Sequence, residues 1–238
     1  MIVQACINGA RRSDFHPKLP LTAEAMASDA AACVAAGAAE LHIHPRGGDG
    51  RESLSAVDAT ILAVRRACPG TLVGVSTGAW IEKDETKTRN AIAAWRERPD
   101  YASVNLSEND APAVIATLQS RGVGIEAGLA TVADAERFIN LPDHGRALRI
   151  LIEIGAQDVS AAQKIADAIA AVLARADVRR PILLHGFDAT VWPFVTLARQ
   201  RRWSTRIGLE DCKHLPDETI APDNVALVAA AVAVFRSG

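Results

Sequence analysis

Glu40-Leu41-His42-Ile43-His44-Pro45-Arg46-Gly47-Gly48-Asp49-Gly50, followed by Leu54 to Ala67, decides how this chain is read. A short apolar run ends in two histidines two residues apart, and Pro45 with the glycines then breaks it. An Ala- and Val-rich amphipathic stretch comes next. Side chains alternate faces along a β-strand, so the two imidazoles project from one face at the point where the strand gives way to a loop. The unit is a strand followed by a helix, with polar groups at the strand's C-terminal end.

The same unit recurs outward in both directions. Strands are predicted at 2–7, 40–44, 72–76, 101–105, 123–126, 148–154, 182–185 and 204–207. Each precedes a helical stretch, at 23–36, 54–67, 83–96, 111–121, 132–140, 160–176, 190–199 and 224–236. Thr22, Asp110 and Asp158 with Ser160 stand where helices begin, and Gly37 and Gly122 stand where helices should stop. Eight β-α units with no composition break predict one closed (β/α)8 TIM barrel spanning residues 1–238 as a single domain. The alternative is an open, doubly wound sheet, but eight parallel strands would make it unusually wide. No Gly-x-Gly-x-x-Gly follows the first strand, which argues against a dinucleotide fold.

Composition bounds the function. The chain has 238 residues, is 49% hydrophobic and carries a net charge of -2 with its charges scattered. A nucleic acid or an anionic membrane surface is therefore not expected as the main partner. Met1 to Cys6 has no basic region followed by a long apolar run, so no signal peptide is expected, and no stretch reaches transmembrane length. The four cysteines, Cys6, Cys33, Cys68 and Cys212, are far apart. Their spacing fits a reducing cytoplasm and forms no zinc-ribbon or disulfide pattern.

In a (β/α)8 barrel the active site lies where the strands run out into loops. In this sequence nearly every predicted strand ends in a group that can ligate, donate or accept. The ends carry His42 and His44, Ser76-Thr77-Gly78, Asn105, Glu126, Glu153, His185, and Arg206 with Glu210 and Asp211. In a closed barrel all eight C-terminal strand ends face one central cavity, so Glu210 or Asp211 can complete a site begun by the histidines. Two imidazoles and a carboxylate with open positions make a catalytic rather than structural metal site. Zinc suits the set, and nickel, cobalt, manganese or iron share the same ligand types. Arg206 beside Asp211 reads equally as a barrel-end salt bridge or as a guanidinium orienting a carboxylate base.

These residues carry a resemblance. In order they are Gly9-Ala10, Leu19-Pro20-Leu21-Thr22, Ala36-Gly37-Ala38, His42-Ile43-His44-Pro45-Arg46, Asp49-Gly50, Ser76-Thr77-Gly78, Arg206-Ile207-Gly208-Leu209-Glu210-Asp211, then Asn224 and Leu227-Val228. From about residue 5 onward the chain resembles the β-keto acid cleavage enzymes, the family of 3-keto-5-aminohexanoate cleavage enzyme. The resemblance implies a metal-dependent (β/α)8 barrel. Such a protein condenses a β-keto acid with acetyl-CoA to give acetoacetate and a new acyl-CoA. It implies His42, His44 and Glu210 as zinc ligands, Arg206 and Asp211 as the acid-base pair, and Ser76 as the active-site serine. Glu126, Thr77, Gly78 and Asn105 are then expected to bind substrate. Where family members commonly carry an acidic residue after the first strand, this chain has Arg11 and Arg12, a pair suited to a second carboxylate on the substrate.

Two other readings remain at the level of sequence. Metal-dependent amidohydrolases also use His-x-His, but on the first strand and with histidines ending strands 5 and 6, where this chain has Glu126 and Glu153. A non-catalytic acyl-CoA-binding barrel would not need the complete ligand set. His16, His144 and His214 have no partner at recognisable spacing and read as ordinary polar residues, His144 on a surface loop, with an overhang of the cavity mouth the alternative for His16 and His214. His185 reads as facing the site or its rim. Trp80, just after Ser76-Thr77-Gly78, is the tryptophan nearest the chemistry. The Ala- and Val-rich run from Val225 to Phe235 is apolar around more of its circumference than a surface helix needs, and predicts a homo-oligomer.

Overall fold

The computed structural model describes residues 1–236; Ser237 and Gly238, included in the expected domain, lie outside the described residues. Eight strands alternate with eight helices: β1 Val3–Cys6, α1 Ala23–Ala35, β2 Glu40–Ile43, α2 Val57–Ala67, β3 Leu72–Ser76, α3 Glu85–Ala94, β4 Tyr101–Asn105 and α4 Ala111–Ser120. There follow β5 Gly124–Leu129, α5 Val132–Ile139, β6 Arg149–Ile154, α6 Val159–Arg175, β7 Ile182–Gly186, α7 Val191–Gln200, β8 Ser204–Ile207 and α8 Asn224–Arg236. All neighbouring strands are parallel, and β1 pairs with β8 (Gln4 opposite Arg206) as well as with β2 (Cys6 opposite His42), so the sheet closes. This is the (β/α)8 barrel expected from the sequence.

Two boundaries differ in ways that matter. The fifth strand was expected to end at Glu126 but continues through Ala127 and Gly128 to Leu129. Glu126 therefore lies within the strand, not at its end. The third helix was expected from Lys83 but starts at Glu85, because Asp84 takes the Lys87 N–H at 2.8 Å and caps it. Thr22 and Asp158 cap α1 and α6 as expected, whereas Asp110 makes no cap bond and instead pairs with Arg89. Gly37 and Gly122 stop α1 and α4 with positive φ.

Alternation along the strands separates two layers. Residues such as Ala5, Leu41, Ile43, Val73, Val75, Val104, Ile125, Ile150, Ile152, Leu184 and Ile207 are buried against the helices in one continuous apolar core. Each of the valines, leucines and isoleucines contributes about 1.5–3 kcal/mol by leaving water. The inward-facing layer is polar instead. Gln4 Nε2 donates to Tyr101 Oη at 2.8 Å and to Glu126 at 3.3 Å; Tyr101 donates to the Leu41 carbonyl at 2.7 Å. Arg149 Nε donates to Glu126 at 2.6 Å, its Nη2 pairs with Glu40, and its guanidinium lies over the Tyr101 ring. Gly74 makes this possible, since a Cβ there would meet the Tyr101 ring at 2.0 Å. A (β/α)8 interior is ordinarily filled by branched apolar side chains. In this barrel a connected polar network occupies much of it, beside Leu151 and Leu183, and such a network stabilises only when its members are satisfied.

Candidate metal centre

The barrel mouth above this network is a cavity of about 510 Å3 lined by His42, His44, Ser76, Ser103, Asn105, Glu153, Arg206 and Glu210, with Arg11, Trp80 and Asp188 at its wall. His42 belongs to β2, and His44 follows it by one residue. Asn8, just past β1, holds the His44 backbone from both sides: it accepts from the His44 N–H and donates to the His44 carbonyl, both at 2.9 Å. Glu210 sits on the loop after β8. Gly9, at φ +55°, lets the chain pass it, because a Cβ at Gly9 would lie 2.5 Å from Glu210 Cγ.

His42 Nε2 lies 3.2 Å from His44 Nε2, His44 Nε2 lies 3.4 Å from Glu210 Oε1, and His42 Nε2 lies 3.9 Å from Glu210 Oε2. All three side chains are buried. Donor atoms held tetrahedrally at zinc-like bond lengths of about 2.0–2.1 Å stand about 3.3 Å apart. Two facing imidazole nitrogens cannot both carry protons at that distance, and Glu210 Oε2 is buried without a hydrogen-bond partner. The donor set fits a divalent ion, and it is the one group of three such side chains found among the described residues.

Behind the ligands stands a charged cluster. Arg206, on β8 and almost fully buried, donates through Nη2 to Glu210 Oε1 at 2.7 Å, Asp211 Oδ1 at 3.1 Å and Glu153 Oε2 at 3.3 Å. His185, at the end of β7, lies between Glu153 (Nε2 to Oε2, 2.9 Å) and Asp211 (Nδ1 to Oδ1, 3.4 Å). Three carboxylates thus share one guanidinium. Burial works against charge in this cluster, but the partners outweigh it. Glu153 is held down at about 2 by the His185 hydrogen bond and Arg206, and Glu210 well below the usual carboxylate range by Arg206 and the histidines. His42 is pushed down to about 3 by burial. His44 is pushed up to about 9, because Glu210 and Glu52 overcome its own burial.

The structure brings together most of the residues singled out from the sequence. His42, His44, Glu210, Arg206, Ser76, Asn105 and Arg11 line the cavity, and Asp211 lies directly behind Arg206 with its side chain fully enclosed. Thr77 Oγ1 donates to the Ser103 carbonyl, and Gly78 packs under the Trp80 indole. Glu126 is not at the mouth. It is fully buried in the polar interior with Arg149 and Gln4 and is absent from the cavity wall, because β5 runs three residues past it. His16 is occupied structurally, with Nε2 against the Ala221 carbonyl and Nδ1 accepting from the Lys18 N–H. Arg11 donates to the carbonyls of Glu210 (2.9 Å) and Asp211 (3.2 Å) and pairs with Asp188. Arg12 is exposed beside Asp14. Glu52, which no sequence spacing marks, lies 2.5 Å from His44.

The family model of the beta-keto acid cleavage enzymes matches residues 1–237. Among solved structures, the chain is similar to the ternary complex of ObcA with a C4-CoA adduct and oxalate: 18% identity, TM-score 0.73, covering 90% of this chain and 62% of that one. The binary complex of ObcA with oxaloacetate matches at 17% identity, also with TM-score 0.73 and the same coverage. The chain thus spans about three-fifths of the ObcA chain. A 3-hexulose-6-phosphate synthase from Salmonella typhimurium matches over 99% of this chain and 98% of its own, at 15% identity and TM-score 0.60. At these identities the solved structures speak for the barrel, and the match along nearly the whole sequence speaks for kinship: the chain belongs to the beta-keto acid cleavage enzyme family.

Proposed function

We propose that this protein is a zinc-dependent acyltransferase that condenses a β-keto acid with acetyl-CoA, releasing acetoacetate and a new acyl-CoA. The observation that carries this reading is the convergence of His42, His44 and Glu210 beside Arg206 at the mouth of a closed barrel. The family membership supports it, as do the titles of the ObcA complexes, which pair that protein with oxaloacetate and with a CoA adduct. When bound, a divalent ion supplies Lewis acidity to the oxygens of a β-keto acid.

The remaining work falls to side chains. Arg206 faces the cavity and offers positive charge to a developing oxyanion. Asp211, oriented behind it by the Arg206 hydrogen bond, takes the substrate proton. Its path to the cavity runs past His185 and Glu153, which lie between the enclosed carboxylate and the open mouth. Ser76, with its Oγ accepting from the Gly78 N–H, handles the thioester, and Thr77, Gly78 and Asn105 shape the substrate wall. Glu126, held by Arg149 and Gln4, belongs to the polar interior below the cavity. Arg11 binds the far end of the substrate. The protein acts as a homo-oligomer of single-domain chains in a reducing, cytoplasmic compartment, which four buried free thiols suit.

The test is a screen of purified protein with acetyl-CoA and a panel of β-keto acids, reading acyl-CoA products by mass spectrometry. At least one β-keto acid should yield acetoacetate together with its acyl-CoA in equal amounts. Asp211→Asn should keep the fold and bound zinc but lose about 10²–10⁴-fold in turnover, the usual contribution of a general base. A loss under tenfold removes Asp211 from that role, and absence of acyl-CoA across the panel rejects the reading.

A further inference from the structure

His44 reaches the ligand cluster with Nε2 and turns its other ring nitrogen outward, to Glu52. Glu52 Oε1 lies 2.5 Å from His44 Nδ1, and its side chain is 11% exposed. A carboxylate can only accept there, which places a proton on Nδ1; in the neutral ring that can ligate a metal, the lone pair is then on Nε2, towards His42 and Glu210. The other carboxylate oxygen, Oε2, accepts from the Trp80 indole N–H at 3.0 Å. Both oxygens are thus committed, and the carboxylate cannot rotate away from the imidazole without losing a bond.

The chain brings Glu52 to this place by a closed loop. Arg46 and Glu52 pair as an antiparallel bridge; Gly47 N–H donates to the Arg51 carbonyl at 2.8 Å and Ser53 N–H to the Pro45 carbonyl at 3.0 Å. Arg46 anchors this hairpin to the first loop, donating to the carbonyls of Gly9 at 2.6 Å and Arg11 at 2.8 Å. Trp80 stands on the far side. It borders the central cavity and also a second cavity of about 520 Å3 between the loops that follow β3 and β4.

We infer that Glu52 is a positioning residue of the metal centre: it sets the tautomer and ring orientation of His44 and ties that ligand to the Trp80 wall. The inference rests on the metal reading above and adds to it a residue outside the three ligands. A carboxylate behind a ligating imidazole raises its basicity, and loss of such a partner typically weakens metal affinity 10–100-fold.

The experiment measures zinc affinity of metal-free protein by competition with a chromophoric chelator, for the parent, Glu52→Gln and Glu52→Ala. Thermal unfolding of each metal-free protein is recorded alongside. Glu52→Gln keeps an acceptor of the same shape and should weaken zinc binding about tenfold; Glu52→Ala, with no acceptor, should approach 100-fold. A residue that merely braces the hairpin would lower the melting temperature of the metal-free protein and leave zinc affinity unchanged. Zinc affinity of Glu52→Gln within threefold of the parent overturns the inference while the metal reading stands. A parent that binds no zinc overturns both.

Discussion

Arg11 and Arg12 follow β1 together, yet only Arg11 faces the cavity. Its Nε and Nη2 hold the backbone carbonyls of Glu210 and Asp211, it stacks over Phe15 at 4.2 Å, and among the described residues its Nη1 has no partner. Arg12 is solvated beside Asp14. Arg11→Ala should therefore lower kcat/KM for a β-keto acid ending in a carboxylate more than for one of equal length ending in methyl, by about tenfold, a charge-assisted hydrogen bond being worth roughly 1.5–3 kcal/mol. Arg12→Ala should leave that ratio unchanged. Equal ratios in both variants would assign Arg11 to the Glu210 loop alone. The sequence made the three candidate ligands legible because two of them obey the strand period and the third becomes their neighbour on closure. Glu52 and the His185–Glu153 link were not legible as partners. One arrives by a hairpin around Gly47–Gly50, and the other depends on which face of two adjacent strands looks inward. Glu126 was misplaced because Ala127-Gly128-Leu129 lacks the β-branched signal of a strand, although its backbone pairs as one.

At the scale of elements, α1 and α8 meet through one asparagine. Asn224, at the start of α8, accepts from the Leu209 N–H at 2.7 Å and donates to the Ile7 carbonyl at 2.8 Å and to Asp29 of α1 at 2.7 Å. The first helix, the last helix, β1 and the loop carrying Glu210 are thus tied at one point. Asp29 is pushed up from 3.8 to about 6, chiefly by burial, with the nearby Asp223 adding to it and the Asn224 hydrogen bond opposing it. An acid whose folded pKa lies above its ordinary value binds its proton more tightly in the fold. Its contribution is therefore full below pH 4 and is lost as pH rises through 6. Asp29→Asn keeps an acceptor for Asn224 and removes the charge. The variant should be more stable than the parent at pH 8, by at most about 3 kcal/mol, two pKa units at about 1.4 kcal/mol each. The advantage should shrink as pH falls from 6 to 4. Urea midpoints at pH 4, 6 and 8 check this, and an unchanging difference contradicts it. That α1 and α8 are helices was plain from their composition; that Asn224 bridges them was not, because nothing local marks a contact spanning 195 residues.

For the whole molecule, closure leaves the ring of helices as the outer surface, and α8 is its most apolar member on the solvent side. From Val225 to Phe235 it has no charged side chain. Leu227, Val228, Ala231 and Val232 pack inward, while Ala229 and Ala233 are exposed and Val225, Val234 and Phe235 are only partly covered. Surface helices ordinarily put charged and polar residues on the face opposite the core. An outer face of small and branched apolar side chains is better suited to a flat contact with another copy, where little desolvation of polar groups opposes burial. Barrel closure itself leaves no sheet edge through which copies could join, so a helix face is the available route. Light scattering at micromolar concentration should give a small whole multiple of the chain mass of 25.2 kDa. Ala229→Glu with Ala233→Glu, both at exposed positions, should shift the protein towards the single-chain mass without loss of helical signal. A parent mass near 25 kDa rules out the oligomer. A double variant that keeps the parent's multiple moves the contact to another face.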